Sequence, residues 1–526
     1  MRHPLLRYRI SLALKIFATL LLFSVVWVFN PELPEGEVAG QWHWLAQAGI
    51  LYSSFILFAI FLYPERHKHP TEYYNIIVWS LIVITAVEAI WGIAQFVLSL
   101  PISGSFHNDR LYAGYLAVIY PVCLNEWLNL KNERKSLFRN IKYYSSLTIL
   151  ILITLSILTT TIYAAWFTVV VSLLFVMWHT NQKKVLAFST IRVIAIITLA
   201  LVAFTVHKEE TQKQLFLTKI AFKAISEHPL TGYGPNTFGH SYGKAQEYYF
   251  ATNSCSEEEK RLADYPLNPS NEYLHGAIEW GIPIVLGILV FLILSIHQGV
   301  KNKRIGVSAG VVSILIFSLF ANPMQIPAFT ITAVFILFAC IMGRERIWLA
   351  GMAVTIGLFG VHWWKTNEYY TYKEWGKQQR LFQAGAYQSA HKGYEKLYSN
   401  LNKKPAFLYE HAYCLHKLGK YNESNKLLKE AAAMSNDPMI HTVMGKNYLF
   451  ESNYKEAEKC FVKSTNLVPN RMLPYYLLAK LYNEPDFRDS SKCKEMAKLV
   501  LQKETHINTS MARKIREESR RMIREL

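Results

Sequence analysis

The chain has 526 residues, 52% of them apolar, a mean hydropathy of +0.13 and a formal net charge of +18. That composition excludes a disordered chain, and the long apolar runs that dominate residues 1–363 exceed what a water-soluble core buries. The positive charge does not call for nucleic acid, and no such partner is expected, because much of it sits in loops where anionic lipid is the nearest partner.

A bilayer core of roughly 30 Å takes about 20 apolar residues as helix. Runs of that kind lie near residues 11–29, 45–63, 75–100, 111–130, 145–160, 163–179, 188–206, 277–296, 307–321, 328–342 and 347–363, and they predict about eleven spans. The first reads as a retained signal anchor, since no A-x-A-like cleavage site follows it. Lys and Arg resist translocation, and they fill every second connection: Arg2, Arg7 and Arg9, then Arg66 and Lys68, then Lys131 to Lys142, Lys183 to Arg192, Lys301 to Arg304, and Arg344 with Arg346. The amino terminus is therefore expected in the cytoplasm and the long connection, about 207–276, outside. With an odd number of spans, residues 364–526 are expected outside as well.

Four stretches carry unusual polarity. PISGSFHNDRLYAGYLAVIYP, residues 101–121, enters a span with Arg110 at its outer end, and Glu88 lies inside the span before it. In QLFLTKIAFKAI, Leu215, Ile220, Ala221 and Ala224 share an apolar side, while Lys219 and Lys223 stand one turn apart. Such a cationic, amphipathic helix is expected in the outer interface, its lysines either snorkelling or meeting head-group phosphates. GYGPNTF lacks the third glycine and following helix of a nucleotide loop, and reads as a turn. In LNPSNEYLHGAIEWGIP, Glu272, His275 and Glu279 are spaced i, i+3, i+7 on one helical face that is expected to run on into the next span. Asn271 or Ser270 can cap that helix, and Glu272 suits its positive end. Glu279 needs a cavity or a partner to sit in apolar sequence, and Glu88 raises the same problem. Six scattered cysteines have neither metal-ligand spacing nor the pattern of a disulfide framework, so no metal is expected.

From about residue 370 a period of 33 to 34 appears. Leu381, Leu415, Tyr448 and Tyr482 recur in register, as do Tyr387, Tyr421 and Tyr454; Ala390, Ser424 and Ala457 are small, Tyr394, Leu428 and Phe461 bulky, and Pro405, Pro438 and Pro469 close the units. The segment resembles tetratricopeptide repeats, most closely in MGKNYLFESNYKEAEKCFVKSTNLVPN. The expected fold is all-α: a polytopic membrane helix bundle over 1–363 and a repeat solenoid over 364–526, binding proteins or peptides.

GSFHNDRLYAGYLAVIYP, HPLTGYGPNTFGHSY and NEYLHGAIEWGIP, in that order around a long outer loop, resemble the O-antigen ligase and polymerase superfamily. The resemblance implies a multi-pass protein of a bacterial inner membrane, with the repeats on the periplasmic side. It implies transfer of a polyprenyl-diphosphate-linked glycan onto a hydroxyl of a lipid or protein acceptor, without metal or other cofactor. Arg110, Lys219 and Lys223 are then candidates for the diphosphate, His275 and Glu272 for the general base, and Asn271 and Tyr273 for orienting the sugar. The family's usual histidine before the Asn is Ser270 here. Its Ser-Arg at the outer end of a span falls at Tyr163, and its second arginine at Thr218 or Lys219. A catalytically inactive relative that anchors a protein-interaction scaffold is the alternative reading, and a transporter a third.

Overall fold

The computed structural model describes residues 4–526 except 31, 35, 64–71, 132–136, 181–207, 253–254, 267–268, 342–346 and 504–509. The span expected at 188–206 lies outside the described residues. Helix is the regular secondary structure of the described residues, with no strand among them. The chain divides into two compact units. One comprises Met1–His207, Ser270–Tyr273 and Leu286–Lys373; the other comprises Lys208–Pro269, Leu274–Val285 and Glu374–Leu526.

In chain order the helices are α1 (Pro4–Phe23), α2 (Gly36–Leu62), α3 (Glu72–Val97), α4 (Asp109–Lys131), α5 (Leu137–Thr159) and α6 (Tyr163–His179), then α7 (Lys208–Glu227), α8 (Phe238–Thr252) and α9 (Glu257–Leu262). There follow α10 (Glu272–Trp280), α11 (Ile282–Lys301), α12 (Ile305–Phe317), α13 (Pro327–Ile341) and α14 (Ile347–Gln383). Among the described residues, five stretches are long and apolar enough to cross a membrane: Leu5–Trp27, Val38–Leu62, Glu72–Val97, Asn140–Thr159 and Ile282–Lys301; α6, α12 and α13 are shorter apolar helices.

In the first unit α4 sits at the centre, packed against α3, α5, α6 and α12. Its Tyr112, Tyr115, Leu116 and Ile119 are fully buried. Gly114 lets α4 approach α12 closely, since a Cβ there would collide with the Phe317 ring. A helix enclosed in this way tolerates the polar residues that a lipid-facing one excludes.

The stretch LNPSNEYLHGAIEWGIP does not run unbroken into the apolar span. Gly281 stands between α10 and α11 with φ +81°, a left-handed conformation that favours glycine. A Cβ at that position would strike the Leu230 carbonyl, and Ile282 donates its N–H to Pro229 O at 2.9 Å. The apolar span therefore begins at Ile282 and leaves Glu279 in a separate helix, contrary to the continuous run expected.

The second unit joins the loop helices to the repeats. Phe216, Ile220, Ala221 and Ala224 of α7 pack with Phe238, Tyr242 and Tyr249 of α8 and with Leu274 and Ile278 of α10. One apolar face of α7 is thus packed on protein; Leu215, placed on that face from sequence, is 61% exposed, and Phe216 takes its place. The repeats are helical hairpins: α15 (Tyr387–Leu401), α16 (Pro405–Lys417) with α17 (Tyr421–Ala432), α18 (Pro438–Phe450) with α19 (Tyr454–Leu467), and α20 (Met472–Leu481) with α21 (Ser490–Gln502), closed by α22 (Ser510–Glu525). Ala457 and Phe461 are fully buried, and Gly445 leaves room for the Phe461 ring. Pro405 and Pro438 open helices rather than close units, because the first turn has no use for the N–H that proline lacks.

Within this unit α8 packs on α19. Gln246 Nε2 donates to Leu467 O at 2.5 Å, Asn436 Nδ2 to His240 O at 2.8 Å, and Asn470 Nδ2 to Ala263 O at 2.8 Å. Lys463 pairs with Glu247 at 3.5 Å.

Candidate functional site

In the first unit, one end of α12 collects several of the residues singled out from sequence. The last carbonyls of a helix have no intrahelical donor, and here side chains and amides from two other segments supply them. Arg110 Nη1 donates to Phe320 O at 3.4 Å, Glu272 N to Ser318 O at 2.9 Å, Asn271 Nδ2 to Leu319 O at 3.2 Å and Tyr273 OH to Leu315 O at 2.7 Å. A guanidinium at this end also complements the negative pole of the helix. Tyr163, at the position where the resemblance called for arginine, meets the Phe320 ring edge-on at 6.0 Å.

Asn271 has a second task. Its Oδ1 accepts the Tyr273 N–H at 2.9 Å, so Asn271 caps α10 at its start. Glu272 is the first residue of that helix, partly buried, where the dipole favours a carboxylate. Arg110, Asn271, Glu272 and Tyr273 thus gather around residues 315–320, a grouping of two stretches more than 150 residues apart that chain order does not announce.

The GSFHN stretch is held by two residues of α3. Glu88, fully buried, accepts from Ser105 Oγ at 2.7 Å and Ser105 N at 3.1 Å. Gln95 Oε1 accepts from Ser103 N at 3.0 Å and Gly104 N at 2.7 Å. Gly104, at φ +55°, leaves no room for a Cβ beside Tyr112 and Glu88. The partner that Glu88 required is therefore a loop backbone, and Gln95, a polar residue in an apolar helix, was the signal for the rest of the clamp.

In the second unit Glu279 does the corresponding work. Its Oε1 lies 3.2 Å from His275 Nε2 and accepts the Phe238 N–H at 3.3 Å, at the start of α8. Burial pushes its carboxyl up, but the His275 hydrogen bond and charge, with backbone donors at Asn236 and Phe238, outweigh that and hold it below the usual range. Its own carbonyl accepts from Gly234 N at 2.9 Å, and Gly232, at φ +65°, packs against that carbonyl. The GYGPNTF turn is thereby docked on the end of α10. The Phe238 ring stands edge-on to His275 at 5.8 Å.

Lys219 and Lys223 both face Tyr249. Lys219 Nζ donates to Tyr249 OH at 2.8 Å and to Glu259 Oε1 at 2.6 Å, and these bonds raise its pKa. Lys223 lies over the Tyr249 ring at 4.5 Å. Glu259 is not among the candidates above, although Ser256 and Glu259 form a capping box, a pattern legible as S-x-x-E. The sequence-derived candidates therefore fall into two groups: Arg110, Asn271, Glu272 and Tyr273 in one unit, Lys219, Lys223 and His275 in the other.

Comparison with known families bears on the stretch that holds the second and third of these sequence blocks. Residues 147–289 match the O-antigen ligase family. The matched segment includes the GYGPNTF turn, α10 and the break at Gly281, while the GSFHN stretch precedes it. No curated protein matches the chain. Among solved structures, one similar chain is the tetratricopeptide domain of P58(IPK), at 8% identity, 67% coverage of this chain, 89% coverage of that one and a TM-score of 0.23. The repeat assignment rests on the hairpins and their period. The chain thus combines helices long and apolar enough to cross a membrane, a segment similar to the O-antigen ligase family and a tetratricopeptide-like helical array.

Proposed function

We propose that this protein transfers a polyprenyl-diphosphate-linked glycan onto an acceptor hydroxyl at the outer face of a bacterial inner membrane. The observation that carries the reading is the convergence of Arg110 and the Asn271–Glu272–Tyr273 segment on one end of α12, because it joins a cation and a carboxylate in the first compact unit. Glu272 removes the acceptor hydroxyl proton; the hydroxyl oxygen forms a bond to the anomeric carbon as the bond from that carbon to the diphosphate oxygen breaks. The lipid diphosphate leaves with the electron pair, its charge met by Arg110, and the anomeric centre inverts. Asn271 and Tyr273 are positioning residues, spent on the carbonyls of α12. Lys219 and Lys223, engaged with Glu259 and Tyr249, hold the loop together in this reading.

His275 is the competing base, with Glu279 setting its orientation through Nε2. Glycan transfer from a polyprenyl-linked donor at matched protein levels separates the two: Glu272→Gln lowers the rate about 10²- to 10⁴-fold, while His275→Ala acts through folding alone. The reverse pattern assigns the base to His275. The inactive-scaffold reading draws on the same Lys219–Glu259 pair, which spends a cation expected for the diphosphate; absence of transfer by the unaltered protein would favour it.

The outside placement of the repeats is supported by their direct bonds to the loop segment, since α8 and α19 cannot pack across a bilayer. Cys460 is buried, so the test uses Asn422→Cys, an exposed position. A membrane-impermeant thiol reagent labels it in cells with a permeabilised outer envelope. Labelling only after the inner membrane is broken places the repeats in the cytoplasm.

A further inference from the structure

The first helices of successive hairpins, α16, α18 and α20, bring three lysines into one stripe. Lys446 and Lys480 stand one repeat apart, and Lys417 ends α16. Lys417 lies over the Tyr413 ring at 5.2 Å and Lys480 over Tyr476 at 5.8 Å, both exposed; Lys446, between them, is recessed. Burial, then Lys417 and Lys480, hold its amino group below the usual lysine value. Among the described residues none of the three forms an ion pair, whereas Lys420, Lys459 and Lys492 of the same array pair with Glu423, Glu456 and Glu458. Beside this cationic stripe is apolar surface: His416 lies against Phe450 at 6.0 Å, and Phe450 is 63% exposed.

Like charges held together in partly dehydrated surroundings repel, and an anion relieves that repulsion. Resting on the reading of the repeats as a protein-binding array, we infer that the Lys417–Lys446–Lys480 stripe receives an acidic peptide segment of a partner protein, with an apolar side chain against Phe450. The recessed Lys446 favours a peptide over a lipid surface. A single chain can pass between the outer lysines and reach it, whereas a plane of head groups meets only Lys417 and Lys480. The loop helices make their bonds elsewhere on the array, through Asn436, Leu467 and Asn470.

The test uses the full-length protein in neutral phosphatidylcholine nanodiscs and a dye-labelled peptide of alternating Glu and Leu, followed by fluorescence anisotropy. The unaltered protein binds it, binding weakens with salt, and Lys446→Gln with Lys480→Gln lowers affinity roughly tenfold or more, while Lys446→Arg preserves it. Glycan transfer is measured on the same variants and is expected unchanged, so loss of the catalytic reading does not alter this result. Equal binding of a Lys and Leu peptide, or unaltered affinity in the double variant, overturns the charge rule and leaves a general peptide binder. No binding of either peptide overturns the protein-binding reading too. Binding of phosphatidylglycerol vesicles through the same lysines, in place of the peptide, assigns the stripe to a lipid surface.

Discussion

Glu88 and Glu279 are both carboxylates buried among apolar residues, one in each compact unit, and both accept from the backbone of a distant glycine-containing stretch. Glu88 is satisfied by a hydroxyl and an amide of Ser105; Glu279 shares an amide with the imidazole of His275. The difference teaches how to read such a residue. Burial alone marks a clamp, because a carboxyl so placed must be hydrogen-bonded, and only Glu279 has an imidazole beside it.

The comparison breaks most readily at Glu88. Glu88→Leu removes the acceptor of both Ser105 bonds and leaves the buried amide unsatisfied, costing about 3 kcal/mol, seen as a large fall in the melting temperature of the detergent-purified protein. Glu88→Gln, which keeps an acceptor oxygen, loses less. A Leu variant as stable as the unaltered chain would remove the clamp.

Acid distinguishes the second unit. Burial holds His411 down to about 4, with His391 adding to the effect, and His441 down to about 3. Unfolded histidines, near 6.5, bind protons that these do not, so stability is full above about 6.5 and falls as pH drops towards the folded values. Between pH 6.5 and 5 each costs about 2 kcal/mol, read by pulse proteolysis of the repeats in the full-length protein. Glu279, held low, acts in a lower window: its contribution is present above the ordinary carboxylate value, about 4.3, and is lost as pH falls through its own.

Glu279→Gln sharpens the contrast with Glu88, because the amide oxygen still accepts from Phe238 while the charge on the His275 side disappears. The expected cost is about 1 to 2 kcal/mol at neutral pH, with the lowest-pH part of the acid loss abolished. Asn271→Ala costs about 1 kcal/mol as a lost cap, and Asn271→Asp little; thermal melts order the two. Smallest is Lys219→Ala: its pair with Glu259 is half exposed, and about 0.5 kcal/mol is the most expected.

The repeats were legible because each hairpin repeats the same local contacts, and Tyr448, Ala457 and Phe461 announce theirs within fourteen residues. The long apolar helices were legible for the same reason, their pattern being local. What sequence did not disclose depends on distant partners. Gly281 ends α10 because Pro229 and Leu230, some fifty residues earlier, occupy the space a side chain needs. Lys219 looked like an available cation because Glu259 is forty residues away. The α7 register slipped from Leu215 to Phe216 because its apolar flank is wide and only α8 and α10 decide which part is covered. In the candidate site, the helix cap at Asn271 was readable from the residue type, but the carbonyls of residues 315–320 that organise the group were not.

The bonds between α8 and the repeats also set a schedule. His240 waits for Asn436, 196 residues later, and Gln246 for Leu467, 221 residues later. At about 5 to 20 residues per second of synthesis, the loop is made roughly 10 to 45 seconds before its partner. Through that interval one side of α8 stands on the nascent chain without the repeats that cover it in the finished one, so the loop helices and the array complete their fold together only when synthesis has passed Leu467.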